Sequence, residues 1–119
     1  MARGWLPKGY SKFGNHKVFY DGIQFDSERE ATRYINLKFL LKAGEISDLR
    51  LQVEYELIPK QLGPDGKMAE KKCTYIADFV YKDKDGNEVV EDVKGFRTDV
   101  YKIKKKLMRY RYGIEIQEV

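Results

Sequence analysis

Two carboxylates stand inside what reads as an apolar strand pair, and few folds tolerate that. From Tyr75 the chain runs Tyr-Ile-Ala-Asp-Phe-Val-Tyr, and a polar Asp-Lys-Asp-Gly-Asn occupies residues 83–87. Glu-Val-Val-Glu-Asp-Val-Lys-Gly then closes the segment at Gly95. Apolar and aromatic residues on both sides of a Gly-containing turn predict a β-hairpin. Asp78 lies in the first strand and Asp92 in the second, each where burial should be greatest. Side chains alternate along a strand, so Asp92 and Lys94 share a face while Glu91 lies on the other and should be peripheral.

The turn decides where Asp78 points. A two-residue Asp85-Gly86 turn sets the aspartates on opposite faces. A three-residue turn, Lys84-Asp85-Gly86 with Gly86 left-handed, pairs Asp83 with Asn87 and Asp78 with Asp92. The second is favoured on chemical grounds. Directly paired side chains have Cβ atoms about 4.5–5.5 Å apart, where like charges repel. Facing aspartates therefore need a cation between them. Lys94 is one candidate, and a divalent metal is a better one because hard cations prefer carboxylate oxygen.

The remaining elements follow from local signals. Asp21-Gly22 between Val-Phe-Tyr and Ile-Gln-Phe predicts a hairpin over residues 17–25. Ser27 with Glu30 three residues on predicts a capped helix start, and Gly44 a stop after about Ala43. Tyr34, Leu37 and Leu41 form the inward stripe of that helix, and stepping back four from Tyr34 lands on Glu30. Glu30 is therefore a candidate for the site as well as for the cap. Leu49 to Pro59 reads as a strand, and residues 61–72 as a polar, mobile loop. Thr98 predicts a second helix to about Tyr112, with Val100, Ile103, Leu107 and Tyr110 buried. Residues 113–119 read as a last strand. The order β-β-α-β-β-β-α-β predicts an α/β (α+β) mixed sheet with helices. The helix before the last strand implies a right-handed crossover and parallel pairing there.

Composition sets the function class. With 119 residues, 42% of them hydrophobic, the chain can build one core. The expected organisation is a basic N-terminal arm over 1–16 and a single domain over 17–119. No apolar run reaches the ~20 residues of a membrane span, and no signal peptide is evident, so no membrane partner is expected. The single cysteine, Cys73, fits a reducing compartment, and it and the lone His16 read as structural rather than zinc-binding. Net charge is +4. Lys102, Lys104, Lys105, Lys106, Arg109 and Arg111 run together without an acid between them, as a polyanion-binding surface would.

Asp78, then Asp92-Val93-Lys94 in the next strand, resembles the motif of the PD-(D/E)xK nuclease superfamily, with Glu30 matching the acid on its first helix. Ala77 replaces the name-giving proline. Phe25-Asp26-Ser27, Glu30-Ala31, Gly44-Glu45-Ile46 and Glu91 to Gly95 with Thr98 and Tyr101 resemble a small phage and prophage family assigned to that fold. The resemblance implies a restriction-endonuclease-like α-β-β-β-α-β core over residues 27–119. It also implies a metal-dependent DNA endonuclease, often a homodimer, acting in the cytoplasm of a bacterial host. Asp78, Asp92 and Glu30 would bind Mg²⁺ or Mn²⁺ and Lys94 would act on the water. DNA would lie along Thr98, Tyr101, Lys102, Lys104, Lys105 and Arg109. A non-catalytic nucleic-acid-binding module on the same fold is the alternative.

Overall fold

The computed structural model describes residues 17–119, so the expected basic arm over 1–16 lies outside the described residues. Internal contacts divide the chain into two compact units, one ending at Phe39 and the other beginning at Leu40.

The first unit opens with β1 (Val18–Tyr20) and β2 (Ile23–Phe25), an antiparallel hairpin. Tyr20 pairs with Ile23, so the loop is Asp21-Gly22, and both residues are left-handed (φ 58° and 77°). That is the two-residue turn whose twist matches the strands. Helix α1 (Glu28–Lys42) follows, with the Glu30 amide donating to Ser27 Oγ at 3.2 Å. Tyr34 lies 5.1 Å from Phe25, ring centre to ring centre, and its hydroxyl donates to Asp21 at 2.9 Å. Helix and hairpin are thus tied through one aromatic residue. The helix ends as its Gly predicts: Gly44 is left-handed, and the Gly44 and Glu45 amides close back on Leu41 and Leu40.

The second unit is built on a four-stranded sheet. Strand β3 (Ser47–Ile58) is followed by a small hairpin of β4 (Gln61–Leu62) and β5 (Met68–Glu70), and then by β6 (Cys73–Lys82) and β7 (Glu88–Asp92). Helix α2 (Asp99–Tyr112) leads to β8 (Gln117–Glu118). The sheet order is β3-β6-β7-β8, with β8 parallel to β7 and the other pairs antiparallel. The expected mixed α+β architecture and the parallel last pair are present. The segment expected to be loop over 61–72 contains the β4–β5 hairpin, and the last strand is two residues rather than seven.

Leu57, Tyr75, Ala77, Val80 and Val90 of the sheet pack with Tyr101 and Met108 of α2 and with Ile116. This corrects the expected face of α2. Val100, Ile103 and Tyr110 are 61%, 57% and 88% exposed, and Leu107 only borders the core. The helix carries two apolar stripes at helical spacing, and Tyr101 with Met108 is the one turned inward. Thr98 caps α2 by accepting from the Tyr101 amide, and Gly113 ends it in a left-handed conformation. No helix among the described residues is long and apolar enough to cross a membrane.

Candidate functional site

The β6–β7 turn resolves the two alternatives that the residues leave open. The Asp83 amide donates to the Asn87 carbonyl at 2.9 Å, the Gly86 amide donates to the Asp83 carbonyl, and Gly86 has φ 84°. This is the three-residue turn. Lys82 pairs with Glu88 and Phe79 with Glu91, so one further step sets Asp78 across from Asp92.

Asp92 is buried at the end of β7. Its Oδ2 accepts the Tyr75 hydroxyl at 2.6 Å, and its Oδ1 lies 3.3 Å from Lys94 Nζ. A buried carboxylate persists only with such partners. Asp78 is half-buried. Its Oδ2 accepts the Val93 amide at 2.9 Å and its Oδ1 accepts the Gln52 side-chain amide at 3.3 Å. The Tyr75 phenol feels both carboxylates. Burial first, then the hydrogen bond to Asp92, push its pKa well above the ordinary value, and Asp78 adds to the rise. Tyr75 is therefore a neutral donor at any physiological pH.

Lys94 reaches from this pair to α2. Its Nζ stands 4.2 Å from the centre of the Tyr101 ring, a cation–π contact. The Tyr101 hydroxyl donates to Glu118 Oε2 at 2.8 Å, and Lys105 Nζ donates to the same oxygen at 3.1 Å. Arg97 Nε donates to Glu118 Oε1 at 2.7 Å, and Arg97 Nη2 contacts that oxygen too. These donors, Arg97 and then Tyr101 ahead of Lys105, hold the Glu118 carboxyl down at about 2. Backbone bonds fix the frame: the Lys94 amide donates to the Val119 carbonyl and the Val119 amide to the Asp92 carbonyl.

Of the expected residues, the second unit brings Asp92, Lys94, Tyr101 and Lys105 into one connected network, with Asp78 across the hairpin. Thr98 spends its hydroxyl on the cap. Lys102 lies 4.0 Å from Asp99 and Arg109 3.3 Å from Glu115, both on exposed positions of α2, and Lys104 is half-buried. So acids from outside the basic run meet several of its cations. Glu30 belongs to the first unit, where its carboxylate accepts from Ser27 Oγ at 3.3 Å, completing a capping pair. Glu91, expected to be peripheral, is not exposed. It is fully buried, and the Tyr81 hydroxyl donates to it at 2.5 Å.

Four participants escaped the sequence reading. They are Tyr75, Arg97, Glu118 and Gln52. Gln52 read as a surface strand residue, yet it is left-handed, φ 54°, in the middle of β3. A non-Gly residue rarely holds that conformation, and such strain collects at functional sites. No pattern in the residues marks these positions, because each is defined by what lies across the sheet from it.

The described residues contain no group of three or more His, Cys, Asp and Glu side chains that could hold a metal ion. The donor set at the hairpin is a pair of aspartates. No curated protein and no solved structure matches this chain. A family model described as "Protein of unknown function (DUF1064)" matches residues 10–118, nearly the whole chain, and the protein belongs to that family.

Proposed function

We propose that the protein is a metal-dependent DNA endonuclease of the PD-(D/E)xK type, hydrolysing phosphodiester bonds at Asp78, Asp92 and Lys94. The observation that carries this reading is the register of the β6–β7 hairpin. Its last pair is Phe79 with Glu91, which leaves Asp78 and Asp92 as the next residues on the two strands, and Lys94 Nζ is 3.3 Å from Asp92 Oδ1.

The residues fit a small hard cation in chemistry. Mg²⁺ commonly uses one or two protein carboxylates and completes its shell with waters and substrate phosphate, so a pair suffices. A carboxylate oxygen has roughly two acceptor positions, and the Tyr75 hydroxyl takes one of those on Asp92 Oδ2. Bound there, the ion would supply Lewis-acid stabilisation of phosphate charge. The side chains do the rest. Asp78, aligned by the Val93 amide and Gln52, offers oxygen ligands. Tyr75 fixes the orientation of Asp92. Lys94, steered by Asp92 and the Tyr101 ring, would orient the attacking water or donate to the developing oxyanion. Recognition of DNA structure rather than base sequence belongs to this proposal.

A second reading is a nucleic-acid-binding module without catalysis. It is favoured by the contacts of Asp92, whose two oxygens already meet Lys94 and Tyr75. Incubation with plasmid, single-stranded, flap and four-way-junction DNA in Mg²⁺ separates the two. The nuclease reading expects nicking, and expects Asp92→Ala to abolish it while DNA binding survives. It also expects Mn²⁺ to raise the melting temperature, by an amount equivalent to about 2.7 kcal/mol at a hundred times the dissociation constant. Equal cleavage by Asp92→Ala, or no cleavage together with no Mn²⁺ stabilisation, would end it. Glu30 is tested separately with Glu30→Gln. The sequence expectation of an assisting role predicts slower cleavage, whereas a cap alone predicts lower stability and unchanged cleavage per folded molecule.

A further inference from the structure

Three donors converge on one oxyanion next to Lys94. Arg97 approaches Glu118 Oε1 with two nitrogens, and Tyr101 Oη and Lys105 Nζ approach Oε2 at 2.8 and 3.1 Å. A guanidinium fork, a neutral hydroxyl and an ammonium are the groups that bind phosphate oxygens. The carboxylate that fills the cluster is that of Glu118, in a strand of two residues. The two cations are open to solvent. Arg97 sits in the irregular segment between β7 and α2 with an exposed side chain, and Lys105 is partly exposed on α2. Tyr101 is the fixed member, buried and also in contact with Lys94.

We infer that Arg97, Tyr101 and Lys105 form a phosphate pocket for the nucleic-acid backbone, and that Glu118 occupies it as an internal substitute until substrate arrives. The inference rests on the nucleic-acid reading of the same site and deepens it. A backbone phosphate presents two terminal oxygens, as a carboxylate does. When it enters, Arg97 and Lys105 exchange one oxyanion for another, and the Tyr101 hydroxyl keeps an acceptor. The phosphate held there lies one side chain away from Lys94 and Asp92, so the pocket would set the strand's position at the proposed cleavage site. Glu118 has two effects. It keeps the cations in place in the free protein, and it competes with DNA for them.

A competitor has a distinctive signature: removing it tightens binding while it loosens the fold. The experiment measures binding of the full-length chain to fluorescein-labelled single-stranded and duplex oligonucleotides. Calcium replaces magnesium so that binding is read without cutting. Glu118→Gln keeps an acceptor oxygen but loses the charge, and should bind about fivefold or more tighter than wild type. Glu115→Gln removes one negative charge from the exposed Arg109 pair and is the control for charge alone. It should change binding by less than about twofold. Adding Arg97→Ala to Glu118→Gln should erase the gain, because the pocket then lacks its fork.

Arg97→Ala alone covers the case in which Glu118→Gln fails to fold, since Arg97 is an exposed linker residue. It should weaken DNA binding more than Lys102→Ala does. The inference is overturned if Glu118→Gln binds no tighter than Glu115→Gln, or if the gain persists without Arg97. It is also overturned if Arg97→Ala and Lys102→Ala weaken binding equally, or if no form of the protein binds DNA at low salt. A tighter Glu118→Gln with neither cleavage in Mg²⁺ nor stabilisation by Mn²⁺ would leave the pocket standing and remove the hydrolytic reading. Cleavage without the gain would do the reverse.

Discussion

Gln52 shows how a single backbone angle can reflect what a side chain does. Left-handed backbone costs a residue with a Cβ about 1–2 kcal/mol, and glycine is nearly free of that cost. Gln52 holds φ 54° between Leu51, which pairs with Phe79, and Val53, which pairs with Ala77, and its amide meets Asp78. Gln52→Gly should therefore stabilise the protein by up to about 1 kcal/mol, less the greater chain entropy of glycine. Urea unfolding measures this directly. A clear loss of stability instead would mean that the bond to Asp78 outweighs the strain. If the strain serves the proposed chemistry, the same variant should cleave more slowly although it is the more stable protein, a combination that a purely structural Gln52 would not produce. Nothing at position 52 in the residue string signals this, because a glutamine between Leu51 and Val53 is an ordinary outward strand residue until the opposing aspartate is known.

Helix α2 makes the same point for a whole element. Its ends were legible: Thr98 caps it and Gly113 stops it where local chemistry says they should. Its face was not. Val100, Ile103, Leu107 and Tyr110 repeat with helical period, and so do Tyr101 and Met108 with Lys104 and Lys105 between them. Periodicity alone favours the stripe with more apolar residues. The partners across the core favour the other, because Tyr101 reaches Glu118 and Met108 fills the space against the sheet. Paired substitutions test the assignment. Met108→Ala should cost about 2–5 kcal/mol, as cavity-forming changes in a core do. Ile103→Lys should fall within about 0.5 kcal/mol of wild type, as substitutions at open surface do. Thermal and denaturant unfolding would reveal a reversal of that order, which would return the core to the Val100 stripe. The β6–β7 hairpin is the opposite case. Its three-residue turn was legible from Gly86, which suits the left-handed position, and that is a local fact.

At the level of the molecule, the network around Glu118 links the fold of the second unit to pH. The folded-state pKa of Glu118 is about 2, below the unfolded value of about 4.3, because Arg97, Tyr101 and Lys105 favour the charged form. A carboxyl lowered in this way stabilises the protein fully above its unfolded pKa and loses that contribution as pH falls toward the folded one. Wild type should therefore exceed Glu118→Gln in melting temperature most at pH 5 and above. The difference should narrow through pH 4 and 3 and be smallest near pH 2. Scanning calorimetry across that range checks it, and a constant difference would show that the Glu118 charge is not what α2 and β8 share. Tyr75 acts at the other extreme. Its raised pKa keeps the Asp92 bond intact until pH rises beyond the range of an ordinary phenol.

Turns and caps were settled by short-range chemistry, where steric and hydrogen-bonding preferences act between residues a few positions apart. That reach covers the Asp21-Gly22 turn, the Ser27 and Thr98 caps and the Gly44 stop. Packing settled the rest. Which stripe of α2 is buried, why Gln52 is left-handed, and why Glu118 gathers Arg97, Tyr101 and Lys105 depend on groups far apart in the chain but close together in space. Burial and ion pairing answer to that distance, and a linear pattern carries no measure of it.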